Sequence, residues 1–561
     1  MSNQKIRNLF IRKLRDFFGK RAFGQQIVEL TLETLIHEFG GSGQNLYREA
    51  NHMGGLGVLM GCLRQAYLEM GVDLTIVMPF YHWYWGWMTQ EKSSYKNLHW
   101  DWMTKGEVFY RDSPAQFVCD LVCDSGGENR TIRVWKVGQK GNIVYGLECP
   151  DVFNELYITD PWQKYQWPRF QQELLFGRAT PLLLGKEGIK PDIICINEGN
   201  TAMIIPTIEK NPGFKTYFKD TKYVFRTHTG VAAAWEKIPR DWLGDLITGF
   251  EKYVNEYREF DLTHLAIGES DKTIAVSEHY AHILKTKIFP QYSENITFVP
   301  NGSSRKIWVS PRIQEIEKNI DMFKLEQAHQ ENKKDLIESS EEVTERTFST
   351  EEPIIALNRR FAVYKNQLPM LAPIIEAICA ERNQIVNTPL GPLQGLGAQM
   401  FIAGMAHENN HMCREWMEEF GHWMSRPKLN ENFIFIPGYN AELRKISIWG
   451  CDIWLDCPWP SYEAHGTTSQ VALMNGKVVV TSSDAYKKII IEGKNGYFLN
   501  PYDTITLYDK LKKATGPYYA FIEKGDDRWL RQEMNAFQTG KSLDALRMVR
   551  KCQRIFKGVS S

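Results

Sequence analysis

The sequence predicts an α/β protein of two Rossmann-like, doubly wound domains facing a central cleft. Three observations carry this prediction. Short β-rich runs alternate with helical runs from about residue 25 to 305, and a second block of the same kind begins near 353. Each β-rich run is apolar and ends near Gly, Pro, His or Asn, as buried parallel strands do where they meet the loops of an α/β sheet. Length and composition agree: 561 residues, 43% hydrophobic and 24% charged, suit two large globular domains and exclude a disordered or fibrous chain.

Taken in order, residues 1–25 form a basic amphipathic helix. Ile6, Leu9, Phe10, Leu14, Phe17 and Phe18 recur at helical spacing among Lys5, Arg7, Arg12, Lys13, Arg15, Lys20 and Arg21. Such a helix either packs on the body or addresses residues 1–21 to a membrane surface or compartment. Residues 26–310 make the N-terminal domain, with strands near 74–78, 192–196, 222–226, 273–276 and 297–299. Its Trp-rich insert, 80–102, gathers nine aromatic residues, Trp85 and Trp87 among them. Flat rings with polar edges suit sugar faces, so the insert recognises an acceptor, packs internally, or forms a subunit interface. Residues 311–352 are charged and read as an exposed helix and linker. Residues 353–504 make the C-terminal domain, with strands near 354–358, 400–403, 433–436, 453–455 and 478–481; residues 505–561 are a helical tail.

Charge excludes some partners. Lys plus Arg equals Asp plus Glu, 67 each, so nothing global recommends nucleic acid. The ten cysteines form no C-x-x-C framework and read as reduced thiols of a cytoplasmic protein. No run of 18 apolar residues predicts a spanning helix.

Three constellations carry chemistry. Gly54, Gly55 and Gly57 precede a helical run, where backbone N–H groups can approach an anion or simply make a tight turn. Arg359 to Lys365, directly after a strand, offers forked and point-charge donors that suit phosphate or a solvated helix start. Glu463 to Ser469 places a carboxylate before Gly466, Thr467 and Thr468 at a helix start, which is also ordinary capping composition.

Together these blocks resemble the α-glucan phosphorylase and glycogen (starch) synthase superfamily, glycosyltransferases of the GT-B fold. The resemblance spans most of residues 40–500: GGLG at 54–57, NEGNTA at 197–202, RTHTG at 226–230, PNG at 300–302, RRFAVYK at 359–365, PGYNAEL at 437–443 and YEAHGTTSQVALMNG at 462–476. It implies that Gly54 to Gly57 form a loop over the donor phosphates and that His228 hydrogen-bonds the transferred sugar. Arg360 and Lys365 then hold the leaving phosphate, Glu463 accepts from sugar hydroxyls, and the backbone after Gly466 meets phosphate. Tyr439 either stacks on the nucleotide base or packs.

One departure is informative. Phosphorylases carry their pyridoxal-phosphate lysine eight residues after the loop glutamate; here that position is Val471, which has no amine. Lys477 lies six residues further on, a poor substitute. Met53 stands where synthases carry lysine, and Asn200 where phosphorylases carry histidine.

His407-Glu408-Asn409-Asn410-His411 matches the zinc-protease pattern H-E-x-x-H, but it follows a strand and coincides with a phosphorylase-like G-x-A-H block, so no metal is expected. The resulting expectation is a retaining hexosyltransferase, glucose being the expected sugar. It takes a UDP-, ADP- or GDP-linked donor without a covalent cofactor, acts on a glucan or other acceptor, and closes its domains around the donor. Alternatives are a phosphorylase-like enzyme without the usual lysine, a protein-modifying transferase, and a non-catalytic carbohydrate-binding protein; an oligomer is compatible with each.

Overall fold

The computed structural model describes residues 25–36, 38, 55–87, 103–156, 166–229, 235–407, 410–429, 431–438, 440–500 and 502–560. The chain divides into two compact units. Unit 1 comprises Met1–Tyr84, Gly106–Asn301 and Ala545–Ser561; unit 2 comprises Trp85–Lys105 and Gly302–Asp544. The basic segment 1–25 lies outside the described residues but for Gln25. Among the described residues no helix is long and apolar enough to cross a membrane.

Unit 1 is built on a nine-stranded sheet. Its strands are β1 (Ile27–Leu30), β2 (Leu74–Phe80), β3 (Gln116–Asp124), β4 (Asn129–Gln139), β5 (Asn142–Glu148), β6 (Ile193–Asn197), β7 (Lys222–Thr227), β8 (Lys272–Ala275) and β9 (Ile296–Phe298), in the order β9-β8-β7-β6-β1-β2-β5-β4-β3. Pairing is parallel from β9 to β5, with Ile27 opposite Leu74 on one side and Ile193 on the other; β4 and β3 add antiparallel. Helices α1 (Gly55–Met70) and α2 (Trp167–Lys186) flank the sheet, and the C-terminal helix Ala545–Ser560 packs on α1 and β7. The chain leaves β1 toward β2 on one side and resumes at β6 on the other, so the order reverses between β1 and β6. Ligands of open α/β sheets bind beyond the carboxyl ends of strands at such a point.

Unit 2 repeats the logic with six parallel strands: β10 (Ile354–Asn358), β11 (Gln399–Gly404), β12 (Phe433–Pro437), β13 (Ile453–Asp456), β14 (Val478–Thr481) and β15 (Gly496–Phe498), in the order β12-β11-β10-β13-β14-β15. Here the reversal falls between β10 and β13. The strands are continuously buried because helices cover both faces, which is why their sequences are apolar runs and not alternations. The covering helices include α3 (Met322–Thr344), α4 (Ala441–Gly450), α5 (Thr468–Met474), α6 (Thr504–Lys524) and α7 (Arg528–Lys541).

The segment 311–352 corrects its expectation. It is neither an exposed helix nor a linker: α3 is capped by Asp321, whose carboxylate accepts from the N–H groups of Phe323 and Lys324, and packs on α4 and α7. Its inward face is largely polar (Glu326, His329, Asn332, Lys333 and Ser340 beside Leu325, Leu336 and Ile337), so composition imitates a solvated helix. The change of unit falls between Asn301 and Gly302, before the expected position 310.

Candidate active site

In unit 2 the residues that follow β10 and β13 meet at the reversal point. Arg359 is the first residue beyond β10 and Asp456 the last of β13; their side chains form an ion pair, both buried. The second guanidinium arm, Nη2, donates to Glu463 Oε1 at 2.5 Å, and Lys365 Nζ donates to the same oxygen. Lys365 is delivered by a 3₁₀ turn, Val363–Lys365, closed by Asn366 at φ 52 and tied to the neighbouring loop through Trp459 N–H on Tyr364 O at 2.7 Å. Asp456 is held from behind, its Oδ2 accepting from Ser469 Oγ at 2.8 Å.

Glu463 is the centre of this arrangement. Its side chain is 10% exposed. Burial alone pushes a carboxyl up, but Arg359 and Lys365 outweigh it and hold the group at about 2, so it is an anion at every working pH. Oε2, its second oxygen, is buried without a hydrogen-bond partner among the described residues. The carboxylate lies against the Gly466 backbone: a Cβ there would come within 2.8 Å of Oε2. Thr467 precedes α5 without a side-chain cap hydrogen bond and Thr468 opens the helix, with the Thr468 hydroxyl buried and unpartnered among the described residues. Arg360 is half-buried, and its carbonyl accepts from Gln367 Nε2 at 3.2 Å.

Val471 sits one turn into α5, 1% exposed. No amine stands at this position to anchor pyridoxal phosphate. Lys477 is no replacement, since its buried amine interacts with Cys451, Glu533, Asp452 and Glu326. These residues do not fit a covalently bound pyridoxal group.

In unit 1 the residues after β6 and β7 converge. Glu198, directly after β6, has φ 65 and ψ 160, a conformation that costs a non-glycine residue about 1–3 kcal/mol. This backbone turns its carboxylate toward β7, where Oε1 accepts from His228 N–H at 3.0 Å and Thr229 Oγ1 at 2.7 Å. Burial raises Glu198 to about 7 against the opposing pull of those donors. Asn197 gives its amide N–H groups to Glu29 Oε2 and Leu30 O, which leaves Oδ1 as the acceptor. His228 Nε2 lies 3.1 Å from that Oδ1 and must therefore carry the proton. Burial and nearby Arg226 hold the imidazole well below its usual range, so it is neutral. Nδ1 is then an unprotonated acceptor, buried and unpartnered among the described residues.

Of the other expected site residues, Gly55 and Gly57 are already helical in the first turn of α1, not in a loop, because the apolar run of that helix begins with them. Gly54, Met53 and Tyr439 lie outside the described residues. Trp85 and Trp87 stand on a short strand, Trp83–Trp87, and their side chains also lie outside the described residues. His411 opens a helix, His411–Trp423, with Asn410 as its cap, while His407 precedes it; the two histidines do not share one helical turn. Sequence reasoning gave no role to Arg359, Asp456 or Glu198. Arg359 and Glu198 stood inside the quoted blocks, and Asp456 ends an apolar strand, a signal that could have found it.

Residues 48–296 match the starch synthase catalytic domain family. Maltodextrin phosphorylase of Thermococcus litoralis is 26% identical over 422 residues, covering 63% of this chain and 49% of that protein. The chain thus spans about half the length of this relative. Glycogen phosphorylase of Mycobacterium tuberculosis is 21% identical over 611 residues, covering 89% of this chain and 68% of that protein. Glycogen synthase of Thermodesulfovibrio yellowstonii is 23% identical, covering 81% and 86%. Among solved structures, the catalytic domain of starch synthase IV from Arabidopsis thaliana, bound to ADP and acarbose, superposes with a TM-score of 0.70 at 16% identity over 96% of this chain and 99% of that one. Over most of its length the chain is similar to α-glucan phosphorylases and to glycogen and starch synthases, and it has the GT-B fold that these glycosyltransferases share.

Proposed function

We propose that the protein is a retaining glycosyltransferase that moves a glucosyl unit from a nucleotide sugar to a glucan or other acceptor. The observation that carries this reading is the buried Arg359–Glu463–Lys365 constellation beside a position, Val471, that holds no amine. Its charge suits a phosphate-bearing leaving group, and the missing lysine argues against phosphorolysis with pyridoxal phosphate.

From unit 2, Lys365 keeps two further N–H donors after serving Glu463, and with Arg360 it neutralises the departing diphosphate. Stabilising developing charge by fixed donors is the main catalytic task in such a transfer. Glu463 presents Oε2 to sugar hydroxyls, and the backbone from Gly466 to Thr468 presents helix-start amides to phosphate. Arg359 does not touch the donor; it spans Asp456 and Glu463 and positions the latter. From unit 1, His228 accepts a sugar hydroxyl at Nδ1. Departure of the leaving group gives the sugar oxocarbenium character, and the acceptor attacks from the same face.

Thermal-shift measurements with UDP-, ADP- and GDP-glucose test the donor, because a ligand that binds only the folded state raises its Tm. One clear stabiliser that also supports transfer to glycogen is expected; the ADP held by the Arabidopsis neighbour makes ADP-glucose the first to try. No stabilisation by any nucleotide sugar, together with phosphorolysis of glycogen, would overturn the reading in favour of a phosphorylase-like enzyme. Alignment with a phosphorylase over 89% of the chain favours that second reading.

A further inference from the structure

We propose that Glu326, His329 and Glu533 form a divalent transition-metal site that ties α3 to α7 inside unit 2. The three residues each bring one ligand atom within 4.8 Å of the others. Glu326 and His329 stand three apart on α3, so both project from one face of that helix, and Glu533 reaches them from α7. All are buried, at 8%, 2% and 1% exposure.

The imidazole is oriented as a ligand. Its Nε2 lies 2.6 Å from the carbonyl oxygen of Asn475, which can only accept, so Nε2 carries the hydrogen. Metal-binding histidines are commonly fixed in this way, one ring nitrogen donating to a carbonyl and the other left as a lone pair. The turn that supplies the carbonyl approaches the ring closely: at Gly476, φ +76, a Cβ would sit 3.1 Å from the His329 ring. Nδ1 of a neutral ring is then an acceptor, and it faces Glu533 Oε1 at 2.6 Å. Two acceptors this close need a proton or a cation between them.

The remaining oxygens point the same way. Glu326 Oε1 accepts from Gln330 at 2.7 Å, while Oε2 of Glu326 and Oε2 of Glu533 are buried with no hydrogen-bond partner among the described residues. Lys333, paired with Asp452 at 2.9 Å, also acts on Glu533, and the buried amine of Lys477 interacts with both glutamates; burial raises Glu326 to about 9 and Glu533 to about 8, so a bound cation takes the place of protons that these carboxyls otherwise hold. Mixed imidazole and carboxylate donors suit Zn²⁺, Fe²⁺ or Mn²⁺. Tetrahedral ligation at about 2.1 Å places donor atoms about 3.4 Å apart, so a bound ion requires Glu533 to rotate away from Nδ1 by less than an ångström. The three ligands are buried on two helices, so the effect is structural: an ion here cross-links α3 to α7.

The test uses the full chain. After EDTA dialysis, one equivalent of Zn²⁺ is added, excess is removed, and bound zinc and Tm are measured. One ion per chain with a raised Tm is expected, and His329→Asn and Glu533→Gln should each weaken retention at least ~100-fold, beyond the loss caused by disturbing an outer partner of a metal site. Should those variants not fold, X-ray absorption of the Co²⁺-loaded wild type decides: one imidazole nitrogen with oxygens supports the site, and a sulfur shell from cysteine overturns it. Retention below a tenth of an ion per chain, or full retention in folded His329→Asn, also overturns it and leaves a shared proton as the bridge.

Discussion

Two carboxylates illustrate how placement decides chemistry at the scale of a residue. Glu463, pinned between Arg359 and Lys365, stays ionised down to about 2, so its role does not titrate. Replacing Lys365 with alanine should cut kcat by about 10²–10³, the usual cost of removing a fixed donor from developing charge. Glu463→Ala should be at least as damaging, with circular dichroism unchanged; near-wild-type turnover in either variant would remove these residues from the site. Arg359→Ala should also lose activity, and with it stability, since Asp456 is left as an unpaired buried anion and Glu463 keeps Lys365 alone. Glu198 behaves oppositely, since burial raises it from 4.5 to about 7. Between those values the folded state holds a proton the unfolded state has released, so stability falls as pH rises through this window and the loss is complete above it. Glu198→Gln removes the titration while keeping an acceptor for His228 N–H and Thr229. Urea midpoints at pH 5 and pH 8 should therefore differ less in the variant, by about 3 kcal/mol at most; equal differences in both proteins would refute the assignment.

At the scale of elements, legibility tracks how each one buries its surface. The inner parallel strands were readable because both faces are covered and every position is apolar, as in IIALN at 354–358 and VVVT at 478–481. Strands β3 and β4 are harder to read: they pair antiparallel and are half-solvated, and β3 carries Phe117 and Val122 exposed, which blurs the alternation. β1, only IVEL, is too short to stand out. The helix α3 imitates a solvated helix because its buried face is polar. Site residues were legible as blocks, but not the choice of Arg359 over Arg360 as the partner of Glu463, which depends on which side of β10 the chain exits. The packing of α3 gives its own prediction. Gly450 at the end of α4 meets it so closely that an added Cβ would lie 2.4 Å from Leu336 Cβ and 2.7 Å from Asn332 O. Gly450→Ala should destabilise unit 2 by about 1–3 kcal/mol through overpacking. An exposed helix would absorb the methyl without loss, so an unchanged urea midpoint would restore the original reading of 311–352.

At the scale of the molecule, the order of the chain matters more than its zero net charge. Unit 1 is not finished when the chain leaves it at Asn301; unit 2 is built first, and only then does Ala545–Ser560 return to cover α1 and β7. That helix buries Met548, Val549, Cys552 and Phe556, and Arg226 Nη2 lies 3.7 Å from Cys552 Sγ at the buried Arg226–Glu29 pair. Each large side chain withdrawn from water contributes roughly 1.5–3 kcal/mol, and removing the helix would also admit water to the ion pair. A whole domain has only about 5–15 kcal/mol in hand. A chain ending at Asp544 should therefore lose the calorimetric transition of unit 1 or have it moved sharply down, while the transition of unit 2, which contains none of these contacts, is retained. Since unit 1 carries His228 and Glu198, and unit 2 carries Glu463 and Lys365, the truncated chain should keep its response to phosphate-bearing ligands in thermal shift yet transfer no sugar. Two unshifted transitions with full transfer would show that the returning helix is dispensable.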